Sequence, residues 1–592
     1  MPHEQEERAP SAPEKSAREG HDPSVGVAAS PPSLELSRTD RHTFRFWGTF
    51  VALCLLAFIS ALDVAIITTA LPDIIDSVGG GSQYVWIANS FVVASAVLQP
   101  LTGQLADALG RRGPIIASTA LFALGSGIAG GAHTAAMLIA GRVVQGIGAG
   151  GINVLLDIIC CDLVPLRERG KYLGLLFSWS GIAAALGPPV GGALAQVNWR
   201  WIFWINLPVC GLALVALLLF MRVKSGTPAV TVSEARDPRN GKGLASYNLT
   251  ARLKRLDYFG NSLFTLSMIS LLLGLVEGGT VHPWSSWRII LPLVLGIVGW
   301  IAFHIQQLFA TQPSVPARLF ANRTSATGYL LTFLSSVMVQ ALAYFLPIYF
   351  QAVKATTILE SGVNFLPLAI GTLAFAVLAG VLLSYIGRYK LMHAISLGIS
   401  ALAFGLLTRL KDDTPTAEWA WYELIASLGS GLILSILLPA IMAGLPESDV
   451  ATASSTYSFI RTFGWIWGVT SPGLIFNSVF DQHLDQITDL ELRAQLSGGQ
   501  AYSFASQVHG IRDRFTPEVW KQVTGVYIES LRAIWWFGLA ISLLSFLAVG
   551  FEEELELRKE LKTEYGLDES HRMTAGGNNI SNDEEPDDQR PK

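Results

Sequence analysis

Between residues 47 and 480 the chain carries one long apolar run after another, with short polar breaks between them. A helix of about twenty apolar residues crosses the hydrocarbon core of a bilayer, because each residue advances it by about 1.5 Å. Lipid offers no partner to a backbone N–H or C=O, so runs of this kind fold as helices. A soluble protein would have to bury all of them at once, against the usual exposure of much of a chain to water. Composition points the same way: 51% of the 592 residues are hydrophobic and 15% are charged, where an average globular protein carries about 25% charged residues. The chain reads as an all-α integral membrane protein whose main partner is the lipid bilayer.

Fourteen spans are predicted, near 47–71, 84–106, 114–132, 136–163, 172–195, 201–221, 258–277, 288–310, 326–350, 363–385, 391–410, 419–443, 454–478 and 532–551. Loops on the cytoplasmic side of a membrane are enriched in Lys and Arg. Here the loops after the second, fourth, sixth, eighth and tenth spans carry them, from Arg111 and Arg112 to Arg388 and Lys390. The loop after the twelfth span, Gly444 to Val450, carries none. Both ends are therefore expected in the cytoplasm. The predicted parts are a disordered cytoplasmic tail over 1–44, a six-helix bundle over 45–221, a basic cytoplasmic linker over 222–257 and two inserted spans over 258–310. A second six-helix bundle follows over 326–551 with an external loop over 479–531, then a cytoplasmic tail over 552–592. Within the external loop, Pro517 to Arg532 reads as a candidate surface helix. Residues 1–44 are polar and rich in Pro, Ser and Glu, and no cleavable signal peptide is expected there. Cys54, Cys160, Cys161 and Cys210 all fall within apolar runs and read as packing residues without disulfides.

An internal repeat supports two related halves. Gly103-Gln-Leu-Ala-Asp107-Ala-Leu-Gly110-Arg111 aligns with Gly380-Val-Leu-Leu-Ser384-Tyr-Ile-Gly387-Arg388 at an offset of 277 residues. Gly148-Ala-Gly150 and Pro165 match Gly429-Ser-Gly431 and Pro446 at an offset of 281. Paired halves are a common design of secondary transporters. Two halves of six spans leave two over, assigned to the seventh and eighth.

Four motifs carry mechanism. The first is Gly103-Gln-Leu-Ala-Asp107-Ala-Leu-Gly110-Arg111-Arg112, at the junction of the second and third spans. Gly110 permits a tight reversal, and Asp107 can pair with Arg111, so the cluster is a candidate cytoplasmic gate. Asp162 at the end of the fourth span, and Arg167 and Arg169 just after it, are expected to join it. The second motif is Leu62-Asp63 through Leu71-Pro72, the third Arg142-Val-Val-Gln145-Gly146-Ile-Gly148-Ala-Gly150. The fourth is Gly181-Ile-Ala-Ala-Ala-Leu-Gly187-Pro188-Pro189-Val-Gly191-Gly192. Its glycines allow close helix approach and its prolines bend a helix. Trp199-Arg-Trp-Ile-Phe-Trp-Ile-Asn206-Leu-Pro208 follows it.

Together these motifs resemble the major facilitator superfamily, and within it the 14-spanner drug:proton antiporters. Fungal toxin and multidrug exporters look most similar, notably at Leu346-Pro-Ile-Tyr-Phe350-Gln351-Ala-Val-Lys354. The resemblance covers roughly residues 45–550. It implies the major facilitator fold of two six-helix bundles plus two inserted helices. It also implies a role in proton coupling for Arg142 and an antiporter role for the fifth-span motif.

The residues themselves add to this. Asp63 lies midway along the first span, where a carboxylate costs roughly 2.5–3.5 kcal/mol on insertion scales; it is a candidate proton acceptor or a permanently paired packing residue. Arg142 keeps its charge and either pairs with an acid or snorkels to the outer surface. Asp157, some 22 Å further along the fourth span at about 1.5 Å per residue, is a candidate relay member or ion partner. Polar and aromatic residues are candidate cavity lining: Asn89, Gln99, Asn153, Trp179, Gln340, Tyr344 and Arg461. Glu423 stands where the repeat puts Arg142, as a second titrating group or a solvated helix end. No phosphate-cradling Gly-Lys-Ser/Thr loop, zinc-type His-Glu-x-x-His or Gly-x-Ser-x-Gly turn occurs in the sequence. The expectation is a non-enzymatic, metal-free monomer without cofactor or nucleic-acid partner. It would export small organic substrates in exchange for protons, drawing on a proton gradient, most plainly in the plasma membrane or else a vacuolar one. Uptake by symport, for example of iron chelates, vacuolar import of basic amino acids, or a non-transporting sensor are the alternatives.

Overall fold

A computed structural model describes residues 44–78, 84–221, 256–278, 282–311, 313–497 and 499–558. Most of the tail over 1–44 and of the linker over 222–257, and the tail beyond Arg558, lie outside the described residues.

The first half comprises α1 (Phe44–Val78), α2 (Tyr84–Val97 continuing as Gln99–Leu109), α3 (Arg112–Gly130), α4 (Ala135–Leu163), α5 (Leu166–Asn198) and α6 (Trp201–Trp204 continuing as Asn206–Phe220). Two helices follow, α7 (Tyr258–Glu277) and α8 (Trp287–Phe309). The second half comprises α9 (Arg323–Ile348), α10 (Leu366–Ile386), α11 (Tyr389–Leu407), α12 (Thr416–Ala443), α13 (Val450–His483) and α14 (Pro517–Ala548). Among the described residues, eleven helices are long and apolar enough to cross a membrane. The other three long segments are α2, α5 and α13, whose polar residues are spent on contacts between helices. In α13 alone, Ser454, Ser455, Thr456, Ser458, Arg461 and Thr462 are buried. Large apolar side chains such as Leu295, Val298, Leu308 and Leu547 stay exposed on the outer surface, as a lipid-facing surface requires.

The repeat is structural. Gly110 and Gly387, matched in sequence, close α2 and α10 with φ of +81° and +73°, a left-handed backbone that glycine adopts without penalty. A side chain on Gly148 would overlap α3 at Phe122, and one on Gly429 would overlap α11 at Ser400. Likewise Gly150 abuts Ser95 of α2, and Gly431 abuts Thr372 of α10. The two matched helices, α4 and α12, therefore pack on equivalent neighbours.

The extra pair packs mainly on itself, and α7 docks on α2. Asn261 Nδ2 donates to Gln104 Oε1 at 2.7 Å, and Trp86 Nε1 to Glu277 Oε1 at 2.9 Å. Phe264 meets Phe459 of α13 edge-on at 4.9 Å.

Two boundary expectations are corrected. The segment from Pro517 is the first half of α14, not a separate surface helix. Thr516 caps it and Pro517 starts it, and Val523, Val526, Tyr527 and Leu531 are buried along its inner face. Its outward charges, Glu518, Lys521 and Glu529, mask the helix in a reading by hydropathy. The loop expected over 479–531 is correspondingly shorter, from Leu484 to Thr516. It forms short helices at Leu490–Leu496, Ala501–Phe504 and Val508–Ile511, packed through Leu492, Leu496 and Val508.

Candidate transport site and gate

Asp63 and Arg142 meet inside the first half. Asp63 projects from α1 and Arg142 from α4; both are buried, and they form a direct ion pair. Gln145, one turn from Arg142, accepts from its Nη1 at 2.8 Å and donates to Asp63 Oδ1 at 2.6 Å. Asn206 of α6 donates to the same carboxylate oxygen at 2.8 Å. Ser126 of α3 accepts from Gln145 at 2.8 Å and from Asn206 at 3.2 Å. The guanidinium lies 4.4 Å from the Phe91 ring centroid. Four helices thus close a buried polar cage around one acid and one base. Of the alternatives for Arg142, the structure takes pairing over snorkelling. Gln145 and Asn206 stand in the motifs quoted above, yet neither was singled out; the turn-length spacing of Gln145 from Arg142 was the available signal.

Asp157 sits lower on α4 and pairs with the other half. Ser458 Oγ of α13 donates to Asp157 Oδ2 at 2.6 Å, and Arg461 Nη2 does so at 3.3 Å. Gln99 Nε2 of α2 donates to Thr462 Oγ1 of α13 at 3.1 Å. These three bonds stitch the halves near the middle of the bundle.

The gate motif forms at the Arg-rich ends of the helices. Arg111 Nη1 binds Asp107 Oδ1 at 3.0 Å and the Ala106 carbonyl at 2.6 Å, while its Nε binds Asp162 Oδ2 at 2.8 Å. Asp107 Oδ2 accepts from Thr452 of the second half at 3.3 Å. Arg167 crosses to the Ser384 and Tyr385 carbonyls at 2.5 and 2.7 Å. Ser384, which replaces the acid of the first half, therefore contributes its backbone. Arg169 does not reach Asp162. It is fully buried and binds Glu447 Oε2 across the seam at 2.9 Å, together with the Cys161 carbonyl at 2.9 Å. Glu447 gives no signal in the sequence, because its loop after α12 carries no Lys or Arg and its partner Arg169 lies 278 residues away in the chain. Arg112 stays at the margin on the Leu218 carbonyl, 2.9 Å away.

Glycines let this seam close. The Gly380 Cα lies where a Cβ on Gly170 would come within 3.3 Å, and a side chain on Gly380 itself would overlap the Gly170 carbonyl. A side chain on Gly103 would overlap Ser455. In the antiporter motif, one on Gly181 would overlap Leu373 of α10, and one on Gly187 would overlap Ala65 of α1. Gly191 is buried. The helix runs on through Pro188, Pro189 and Gly192, whose surroundings lie outside the described residues. Gly464 and Gly468 of α13 face α9 of their own half rather than the seam.

The remaining candidates divide. Asn153 is half-buried and accepts from Ser60 Oγ at 3.4 Å; Asn89 is half-buried. Gln340 and Tyr344 stand one turn apart on α9, with Tyr344 exposed. Trp179 lies two residues from Phe177, hence about 200° around α5, on the side away from Arg461; it packs edge-on against Phe58. Glu423 is buried rather than a solvated helix end, and it accepts from Leu368 N at the start of α10 at 3.3 Å.

The comparisons with known proteins decide the family. A profile of the Major Facilitator Superfamily matches residues 53–469. The chain belongs to this superfamily. The MFS efflux transporter aclA of Aspergillus oryzae is 43% identical over 557 residues, covering 92% of this chain and 96% of that protein. The MFS-type transporter gkaD of Penicillium citrinum is 42% identical, over 96% and 93% of the two chains. The efflux pump FUS6 of Gibberella moniliformis is 40% identical, over 90% and 92%. Among solved structures, the human organic anion transporter MFSD10 aligns with a TM-score of 0.52 at 16% identity, over 85% of this chain and 99% of that one; this likeness concerns the superfamily fold.

Proposed function

We propose that the protein exports small organic molecules by alternating access, in exchange for protons. The observation that carries the proposal is the asymmetry of the seam. The described ties between the halves run from mid-bundle to the Arg-rich face, through Asp157, Gln99, Asp107, Arg167 and Arg169. By the positive-inside rule that face is expected to be the cytoplasmic one, and its closure by these bonds supports an outward-facing reading of the conformation described here. The names of the relatives, efflux transporter and efflux pump, support export as the direction.

Each part of the cycle has residues to perform it. The Asp63–Arg142 cage is the proton site. Its cation holds the carboxylate when it is ionised, and a proton arriving at Asp63 releases Arg142 and frees the packing of α1 against α4 and α6. The seam bonds must break for the cytoplasmic side to open; most are single hydrogen bonds that water can replace at modest net cost, and the Arg169–Glu447 ion pair is the strongest of them. The proton gradient is the energy source and no cofactor takes part. The protein works as a monomer, most plainly in the plasma membrane. Expression in a pump-deficient yeast host tests this reading with a panel of fluorescent aromatic dyes. Lower accumulation of at least one dye, restored by a protonophore, is expected; equal accumulation of all dyes with and without the protein contradicts it.

A further inference from the structure

Arg461 is a buried cation with more donors than acceptors. Its side chain is 9% exposed; Nη2 reaches Asp157 at 3.3 Å, and the Tyr457 side chain also interacts with the guanidinium. Nε and Nη1 are buried and have no hydrogen-bond partner. Asp157 shares the same oxygen with Ser458, whose bond is shorter at 2.6 Å. Unmatched buried donors are costly to keep, and each one in a folded protein calls for an explanation.

Three rings surround the guanidinium. Phe177 of α5 and Tyr457 lie 5.0 Å from it, and Trp465 lies 5.8 Å away. Tyr457, Arg461 and Trp465 follow one another at four-residue spacing, which puts them on one stripe of α13. Trp465, the member nearest the open side, is 37% exposed. The stripe therefore leads from an exposed aromatic face down to a cation at the seam between the halves. Aromatic walls stack on flat apolar bodies, and they strengthen a cation's attraction for an anion by excluding water.

From this geometry we infer that Arg461, walled by Phe177, Tyr457 and Trp465, is a recognition site for the anionic group, such as a carboxylate, of a flat aromatic substrate. The inference rests on the export reading and narrows its substrate class. The acid group takes the unmatched donors of Arg461, and the conjugated body lies against Trp465. Because Arg461 also holds Asp157 of the other half, the occupied site lies on the surface where the two halves part.

The test uses full-length protein in lipid nanodiscs and three probes: pyrene-1-carboxylate, its methyl ester and 1-pyrenemethylamine. Binding is read by tryptophan-to-pyrene energy transfer. The wild type is expected to bind the acid about ten-fold or more tighter than the ester, the scale of a charge-assisted hydrogen bond, and the amine weakest. Arg461→Gln should erase the preference for the acid while leaving the ester's affinity in place, and Arg461→Lys should keep part of it. Equal binding of acid and ester by the wild type overturns the inference. So does an Arg461→Gln variant that weakens acid and ester alike, the mark of a purely structural residue. If that variant does not yield monodisperse protein, the wild-type ranking and Arg461→Lys decide. Acid preference in binding without dye export in cells would sink the export reading and leave this site standing; export without acid preference would do the reverse.

Discussion

Removing Glu447 should unlatch the cytoplasmic side. Arg169 is fully buried, and Glu447 is its acidic partner across the seam at 2.9 Å. Breaking a buried ion pair by deleting one member typically costs about 3–5 kcal/mol, because the other charge stays behind. Two features lower that figure here. The Glu447 side chain is 17% exposed, and Arg169 keeps the Cys161 carbonyl at 2.9 Å and the Val164 carbonyl at 3.3 Å. A loss of about 2 kcal/mol is therefore expected for Glu447→Gln, and it falls on the conformation in which the pair exists, the outward-facing one under the proposed cycle. This is a shift of about 30-fold in the ratio of outward- to inward-facing molecules. Spin labels on cysteines introduced at Lys171 and Tyr385, exposed positions on opposite halves, report the distance across this seam in nanodiscs. The variant should populate a longer distance that the parent rarely shows. An unchanged distance distribution in a well-folded variant would refute the assignment of this pair to the gate.

Other expectations follow from the same contacts. Asp63→Asn should abolish pH-driven transport and, by leaving Arg142 buried without its anion, lower thermal stability by about 3 kcal/mol; a differential scanning assay beside a flux assay separates the effects, and retained coupling removes Asp63 from the mechanism. Gly380→Ala places a methyl group against the Gly170 carbonyl and should favour the inward-facing state in the same spin-label assay. Glu552 lies buried on His393 of α11 at 2.9 Å, just after α14. Glu552→Ala should therefore lower the melting temperature, by an amount corresponding to about 1–3 kcal/mol for a stranded buried group; an unchanged melting temperature would show the contact to be incidental.

How much of this the sequence disclosed depended on whether a feature is local. Span positions follow from apolar length, a local quantity, and were placed well wherever lipid faces the helix. They slipped where protein replaces lipid: α14 begins at Pro517, its first turns carrying charges outward and apolar residues inward, a pattern that hydropathy averages away. The matched Gly110 and Gly387 were legible because a left-handed turn needs glycine whatever surrounds it. Asp63, Arg142 and Asp157 stood out one at a time because charge in an apolar run is costly. Their partners did not stand out, since pairing is decided by which helices adjoin: Asp63 finds Arg142 in its own half, whereas Asp157 finds Arg461 in the other. Glu447 stands in a polar loop where an acid costs nothing, so only the fold reveals its pairing with Arg169. Trp179 and Phe177 are two residues apart, and only the rotation of α5 tells which of them faces the cation.

The claim on which the account rests is exchange of substrate for protons. Purified protein in sealed vesicles, given an imposed pH gradient and an exported dye, lets both fluxes be followed at once, one by the dye and one by a trapped pH indicator. Protons and dye moving in opposite directions, each stimulated by the other and both lost in Asp63→Asn, is the predicted outcome. Movement of the two in the same direction, or dye movement indifferent to the gradient, would contradict it.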